Sequence, residues 1–242
     1  DLLVNDVNDA QIFADILPLF NKYMKKYGIC SKFEQAHFFA QCKLESATFT
    51  KAYSNSSPQD RYNPTTTREG GYIHLATPGN WDAFSGYVKA NYPELLKKHN
   101  ISNLMRQTNA LRDVEKYGHE LAVLSAVWYF AKRRRSLVIN KKIIWVGTCL
   151  QAIRHWKENP KDPKVGKFKL IKVITALVYG AYPGEIRWTT RQIRKHLSKS
   201  YDGHLRSLSE KNRKHLRDNP LGPGAWKQRN RNFLKLKNKL KI

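Results

Sequence analysis

Glu45 is the side chain that the sequence best equips for chemistry. It ends the mostly apolar run Phe38-Phe39-Ala40-Gln41-Cys42-Lys43-Leu44 and precedes a stretch rich in turn formers. A carboxyl at the end of a buried helix is partly desolvated, which favours its protonated form and suits it to general-acid work. The plainer alternative is a helix-end glutamate held in a salt bridge. Downstream, Tyr53, Tyr62, Tyr72 and Trp81 supply rings that can stack on the C–H faces of sugars, whereas Trp128 reads as core. Metal and cofactor chemistry finds little support. His119-Glu120-Leu121-Ala122-Val123 opens like a zinc-protease HExxH motif but lacks the second His, so it reads as a helix start. The eight His have no metal-ligand spacing, and no phosphate-binding glycine motif occurs. Cys30, Cys42 and Cys149 are odd in number and lack CxxC spacing, which argues against both a disulfide framework and a zinc cluster.

The elements that must position Glu45 are mostly helical. Ile12, Phe13, Ile16, Leu17, Phe20, Met24 and Tyr27 recur at helical spacing ahead of Gly28, with Pro18 as an expected kink. Ser31-x-x-Glu34 is a capping box that should start a second helix over about 33–44, apolar on most faces and hence central. From 50 to 80 the texture is irregular, with Tyr72-Ile73-His74-Leu75-Ala76 as one arm of a small sheet. Helical periodicity resumes near Asp82. Further helices are expected over 120–132, 143–156 and 169–179, with a loop at 157–167. Beyond Pro183 the chain is basic and helix-like, broken at Asn219-Pro220-Leu221-Gly222-Pro223-Gly224.

Charge divides the chain of 242 residues. Residues 1–130 hold 14 basic and 13 acidic side chains, and residues 131–242 hold 30 and 6. A near-neutral half joined to a strongly cationic one implies a working domain with a region that seeks a polyanion. No apolar run reaches the roughly 18–20 residues of a membrane-spanning helix, and no signal peptide opens the sequence. Its start at Asp1 fits a trimmed or processed form.

Four blocks resemble a known family in the right order. Phe38-Phe39-Ala40-Gln41-Cys42-Lys43-Leu44-Glu45-Ser46 is similar to the Phe-hydrophobic-Ala-Gln-x-x-His-Glu-Ser helix of family-nineteen chitinases and related phage endolysins. Gly71-Tyr72-Ile73-His74-Leu75-Ala76-Thr77-Pro78-Gly79-Asn80-Trp81 resembles the family's Gly-hydrophobic-Ile-Gln-Leu strand and its Asn-Tyr turn. Leu124-Ser125-Ala126-Val127-Trp128-Tyr129-Phe130 resembles its Ser-Ala-x-Trp-aromatic-aromatic helix, and Ile174-Thr175-Ala176-Leu177-Val178-Tyr179-Gly180 stands where the family has a helix ending Ile-Asn-Gly-Gly. The blocks span about residues 35–181. The resemblance implies a mainly α, lysozyme-like α+β fold with a small β-hairpin or sheet over 1–182, followed by a basic helical extension over 183–242. It places the catalytic acid on Glu45 and lines the groove with Tyr53, Tyr72, His74, Thr77, Asn80 and Trp81.

The departures leave the second catalytic group open. The endolysins' second carboxylate falls on Ser54, and the residue that holds the attacking water falls on Ala76, beside Thr77. His74 replaces a Gln, and Tyr179 an Asn. An inverting hydrolase needs a base about 6.5–9.5 Å from its acid. Glu69, or else Asp60, can return through the insert to serve, as plant-type members carry a second Glu well downstream. Alternatively, Glu45-Ser46, Phe49, Ala52, Ser54 and Gly71-Tyr72-Ile73-His74 also resemble the Glu-Ser … Gly-Leu-Met-Gln layout of lytic transglycosylases. Those use one carboxyl and the sugar's own 6-hydroxyl.

The expected function is a monomeric, cofactor-free glycosidase cleaving the β-1,4 link between the amino sugars of peptidoglycan. Residues 183–242 would bind the anionic bacterial envelope or a membrane surface. Trp226, Phe233, Leu236 and Leu240 fall on one side of a helix over 225–242, with Lys and Arg around the rest, so a membrane-surface helix, a solvated basic tail and a helix docked on the catalytic domain are all open readings. Without a signal peptide, action at the wall would require a phage, a virion or a dedicated export route. Two rivals remain. A basic nucleic-acid-binding protein would explain Lys132-Arg133-Arg134-Arg135, and a degenerate glycan-binding domain would explain the missing carboxylate.

Overall fold

The computed structural model describes residues 7–46, 70–75, 78–104, 108–111, 113–139, 142–163, 165, 169–179 and 225–241. These form two compact units, one of residues 1–133 with 232–242 and one of residues 134–231. The domain boundary expected at 182 falls outside the described residues. The described part is mainly α, with one two-stranded antiparallel sheet.

The first unit is built from α1 (Val7–Tyr27), α2 (Lys32–Glu45), α3 (Pro78–Asn91), α4 (Pro93–Lys98), a 3-10 turn (Thr108–Leu111), α5 (Val114–Tyr117) and α6 (Glu120–Ala131). α1 continues through Pro18. The capping box at Ser31 forms: Glu34 N–H donates to Ser31 Oγ, and Glu34 Oε2 accepts from the Cys30 and Ser31 amides. α6 has no polar stripe, so it must sit inside, and every residue from Leu121 to Phe130 is buried. Phe38 of α2 meets Phe20 of α1 edge-on at 5.7 Å and Phe130 of α6 at 5.2 Å. Such tilted pairs add about 0.5–1.5 kcal/mol each beyond burial.

Glu120 anchors the start of α6. It accepts hydrogen bonds from Lys22 Nζ at 2.8 Å and from the Tyr23 hydroxyl at 2.7 Å, with Lys98 Nζ at 3.8 Å. Burial alone would push this carboxyl up, but the Lys22 and Tyr23 hydrogen bonds and the two ammonium charges outweigh it and hold the group below its ordinary value. The His119-Glu120 pair is thus the helix start read from the sequence.

Two local expectations are corrected. The described part of the expected sheet arm, residues 72–75, is not a strand. Residues 71–74 make a turn closed by the single bridge Gly70↔Leu75, because Gly71 (φ 81°) and His74 (φ 52°) both take left-handed backbone that a strand cannot accommodate. The expected helix over 143–156 divides. Its first part is β2 (Lys142–Gly147), paired antiparallel to β1 (Arg135–Ile139). The run Ile143-Ile144-Trp145-Val146 favours a pleated strand, and the capping box of Thr148 with Gln151 starts α7 (Cys149–Glu158) afresh. These elements, with α8 (Leu170–Tyr179), belong to the second unit. Inside that unit Trp145 of β2 packs on Trp156 and His155 of α7, with ring centres 5.7 and 5.2 Å away.

The last helix, α9, covers Ala225–Leu240. Its stretch from residue 232 belongs to the first unit. There Phe233 stacks on the His37 ring of α2 at 4.1 Å and meets Phe33 edge-on at 5.9 Å, while Leu236 is buried. Of the three readings of the tail, the described part of its apolar side therefore fits the docked helix. Arg229, expected on the solvated face, is fully buried.

Candidate functional site

Glu45 is the last residue of α2, and its helix ends there because Ser46 caps it. The Ser46 amide and hydroxyl both donate to Cys42 O, at 2.9 and 2.6 Å. Across from this end lies the 70–75 turn, which brings His74 Nδ1 to 3.5 Å from Glu45 Oε2. Both side chains are largely shielded, Glu45 at 12% and His74 at 8% exposure. The positive φ of His74 is what turns its ring toward the helix end instead of continuing a strand. Behind the carboxyl, the Cys42 thiol is fully buried, and burial first and the nearby Glu45 second push its pKa well up, so it stays a thiol.

The turn is seated on α6. Tyr72 N–H points to Ala122 O at 3.5 Å, Gly71 N–H donates to Leu111 O at 3.2 Å, and Gly71 lies so close to Ser125 that a Cβ there would collide with its hydroxyl. Ser125 in turn donates to Ala122 O. Gly71→Ala would meet both this collision and the left-handed φ, with an expected cost of about 1–3 kcal/mol. Thermal melting of that variant should fall by several degrees, and an unchanged melt would refute the close seating.

Two of the aromatic residues assigned to the groove, Tyr72 and Trp81, are placed otherwise. Tyr72 is buried, against Phe20 at 5.8 Å, and its hydroxyl shares a 2.7 Å hydrogen bond with His119 Nδ1. Burial raises the Tyr72 pKa, with Cys42 adding to it, and burial lowers that of His119 against the pull of Asp15. Trp81 has no exposed surface. These rings fill the core and present no open face for a sugar. Asn80 is buried too, and its Oδ1 accepts from Arg133 Nε at 3.0 Å. Tyr53, Tyr62, Glu69 and Thr77, with Asp60, lie outside the described residues.

One polar residue escaped the sequence reading. His37 stands two helical turns before Glu45, with Gln41 between them, so the three share one face of α2 at i, i+4 and i+8. Both ring nitrogens of His37 and both amide atoms of Gln41 are buried with no hydrogen-bond partner among the described residues. The regular four-residue spacing was the available signal; the apolar neighbours hid it. Among the described residues no group of His, Cys, Asp and Glu could hold a metal ion.

Chemically, the arrangement is a carboxyl fixed at the end of a rigid buried helix with an imidazole beside it. Such a group can hand a proton to an oxygen brought against it, and the imidazole can orient it. The chain matches no family model, no characterised protein and no solved structure with which it was compared. Its function must be argued from these residues.

Proposed function

We propose that this protein is a lysozyme-like glycosidase that degrades peptidoglycan, with Glu45 as its general acid. The observation that carries the reading is the Glu45–His74 contact, which joins the end of the buried helix to the 70–75 turn. Gly71 seated on Ser125 supports it further. Through these two contacts the second of the four sequence blocks that resemble the chitinase-type endolysins touches the first at Glu45 and the third at Ser125. In the proposed reaction Glu45 protonates the bridging oxygen of the β-1,4 link as its bond to the anomeric carbon breaks. The anomeric carbon is then captured either by water, activated by Glu69, or by the sugar's own 6-hydroxyl, whose proton returns to Glu45. Peptidoglycan is preferred to neutral chitin because 30 basic against 6 acidic side chains after residue 130 suit an anionic envelope.

Mass spectrometry of purified peptidoglycan after incubation with the full chain tests this. Reducing ends would identify a hydrolase and anhydro-sugar ends a lytic transglycosylase. Retained binding without cleavage would leave only the glycan-binding rival, and neither binding nor cleavage would overturn the reading altogether.

A further inference from the structure

The β1–β2 hairpin carries a surface that the glycosidase reading leaves unused. Register pairs Val138 with Ile143 and Ser136 with Val146, so these four side chains share one face, while Leu137 and Trp145 pair on the other. The second face is the one packed in the unit: Leu137 is buried, and Trp145 rests on α7. The first face is open. Val138, Ile143 and Val146 are exposed by 54, 63 and 48%, and among the described residues only Leu234 joins them as a large hydrophobe left so exposed. Three β-branched aliphatic side chains side by side in water need a partner.

The charge around them says which kind. Arg134, which is exposed, directly precedes β1, and alternation along the strand puts it on the same face as Ser136 and Val138, whereas Arg135 falls on the Leu137 face. Residues 134–157 hold six basic side chains and not one Asp or Glu. An aliphatic face beside an exposed cation, in a stretch that carries only basic charge, matches an anionic bilayer surface, which offers phosphates to the charges and acyl chains to the methyl groups just beneath. Nucleic acid would satisfy the cations but gives saturated β-branched side chains nothing to enter, since its bases reward aromatic stacking. A two-stranded hairpin also has unpaired backbone along both outer edges, which must stay hydrated. Insertion therefore stops at side-chain depth.

We propose that the β1–β2 hairpin is a membrane-docking element that lays Val138, Ile143 and Val146 into the interface of an anionic lipid bilayer, with Arg134 at the headgroups. The proposal stands apart from the glycosidase reading: it concerns lipid, and its test contains no glycan.

The test is cosedimentation of the full chain with vesicles of phosphatidylcholine alone and of equal parts phosphatidylglycerol and phosphatidylcholine. Binding should require phosphatidylglycerol and weaken with salt. Replacing all three residues together, Val138→Thr, Ile143→Thr and Val146→Thr, keeps β-branching and should weaken binding roughly 10–50-fold, from the transfer of the lost methyl-sized groups. Arg134→Gln should cost roughly 5-fold at low salt and little at high salt. Circular dichroism checks the fold. If the triple variant misfolds, Ile143→Trp decides, because an interfacial Trp should tighten binding and an unchanged affinity would overturn the proposal. Equal binding by the triple variant, equal binding to both vesicles, binding to duplex DNA but to neither vesicle, or a dimer that the triple variant abolishes would each overturn it as well.

Discussion

Glu45→Gln should lose roughly 10²–10⁴-fold of the lytic rate on purified peptidoglycan, the range expected for a removed general acid. The substitution is close to isosteric, and an amide can still face His74 Nδ1, so α2, its Ser46 cap and the seating of the 70–75 turn should survive. Its melting temperature should therefore stay near that of the parent while cleavage falls. An amide carries no proton that it can release to a leaving oxygen, and this alone would account for the loss. A folded Glu45→Gln protein that clears peptidoglycan at a near-parental rate would end the proposal that Glu45 is the acid.

The second large effect is on stability and comes from His37. Burial presses its pKa from about 6.5 down to about 3, so the folded protein keeps the ring neutral where the unfolded chain would protonate it. Between those values the unfolded state binds the extra proton, so stability is full above about 6.5 and falls as pH drops toward 3. The slope contributed by one such group is about 1.4 kcal/mol per pH unit. His37→Phe would replace the imidazole, held between Phe33 and Phe233, with a third aromatic ring. It should remove this part of the acid slope in denaturant titrations at pH 4 to 7, and relieve two buried nitrogens that lack hydrogen bonds. Glu120, held low by Lys22 and Tyr23, still weakens the fold in acid in both proteins. The reading is therefore the difference between the two slopes, and parallel slopes would refute it.

What the sequence made legible follows from the range of the forces involved. Capping boxes and apolar periodicity act within one helical turn, so α2 and α6 could be read almost to the residue. The hairpin was missed because Ile143-Ile144-Trp145-Val146 satisfies helix and strand periodicity alike over so short a run. Gly147 and Thr148, which separate strand from helix, carried the punctuation. Residues 72–76 look extended by composition, and the left-handed backbone at Gly71 and His74 answers to packing on α6, which no local pattern encodes. At the site, Glu45 was legible from its place at the end of an apolar run. Its neighbour His74 was legible only through a resemblance. The burial of Tyr72 and Trp81 was not, since an aromatic ring serves equally well as a core filler or as a platform for a sugar.

The manner in which α9 closes over His37 bears on how the protein is made. Residues 232–241 complete the unit that carries Glu45, yet they leave the ribosome about a hundred residues after residue 133, once the whole intervening unit has been synthesised. Domains ordinarily fold in order as they emerge; here the earlier one must wait for a distant strip of chain to return to it. Contacts of such long sequence separation are slow to form, because the loop must close before they yield any gain. Until then Phe33 and His37 lack the Phe233 ring that stacks over them. The nascent chain is thereby an unfinished tool, with the Phe33–His37 side of its proposed acid's helix covered only when the last helix is in hand.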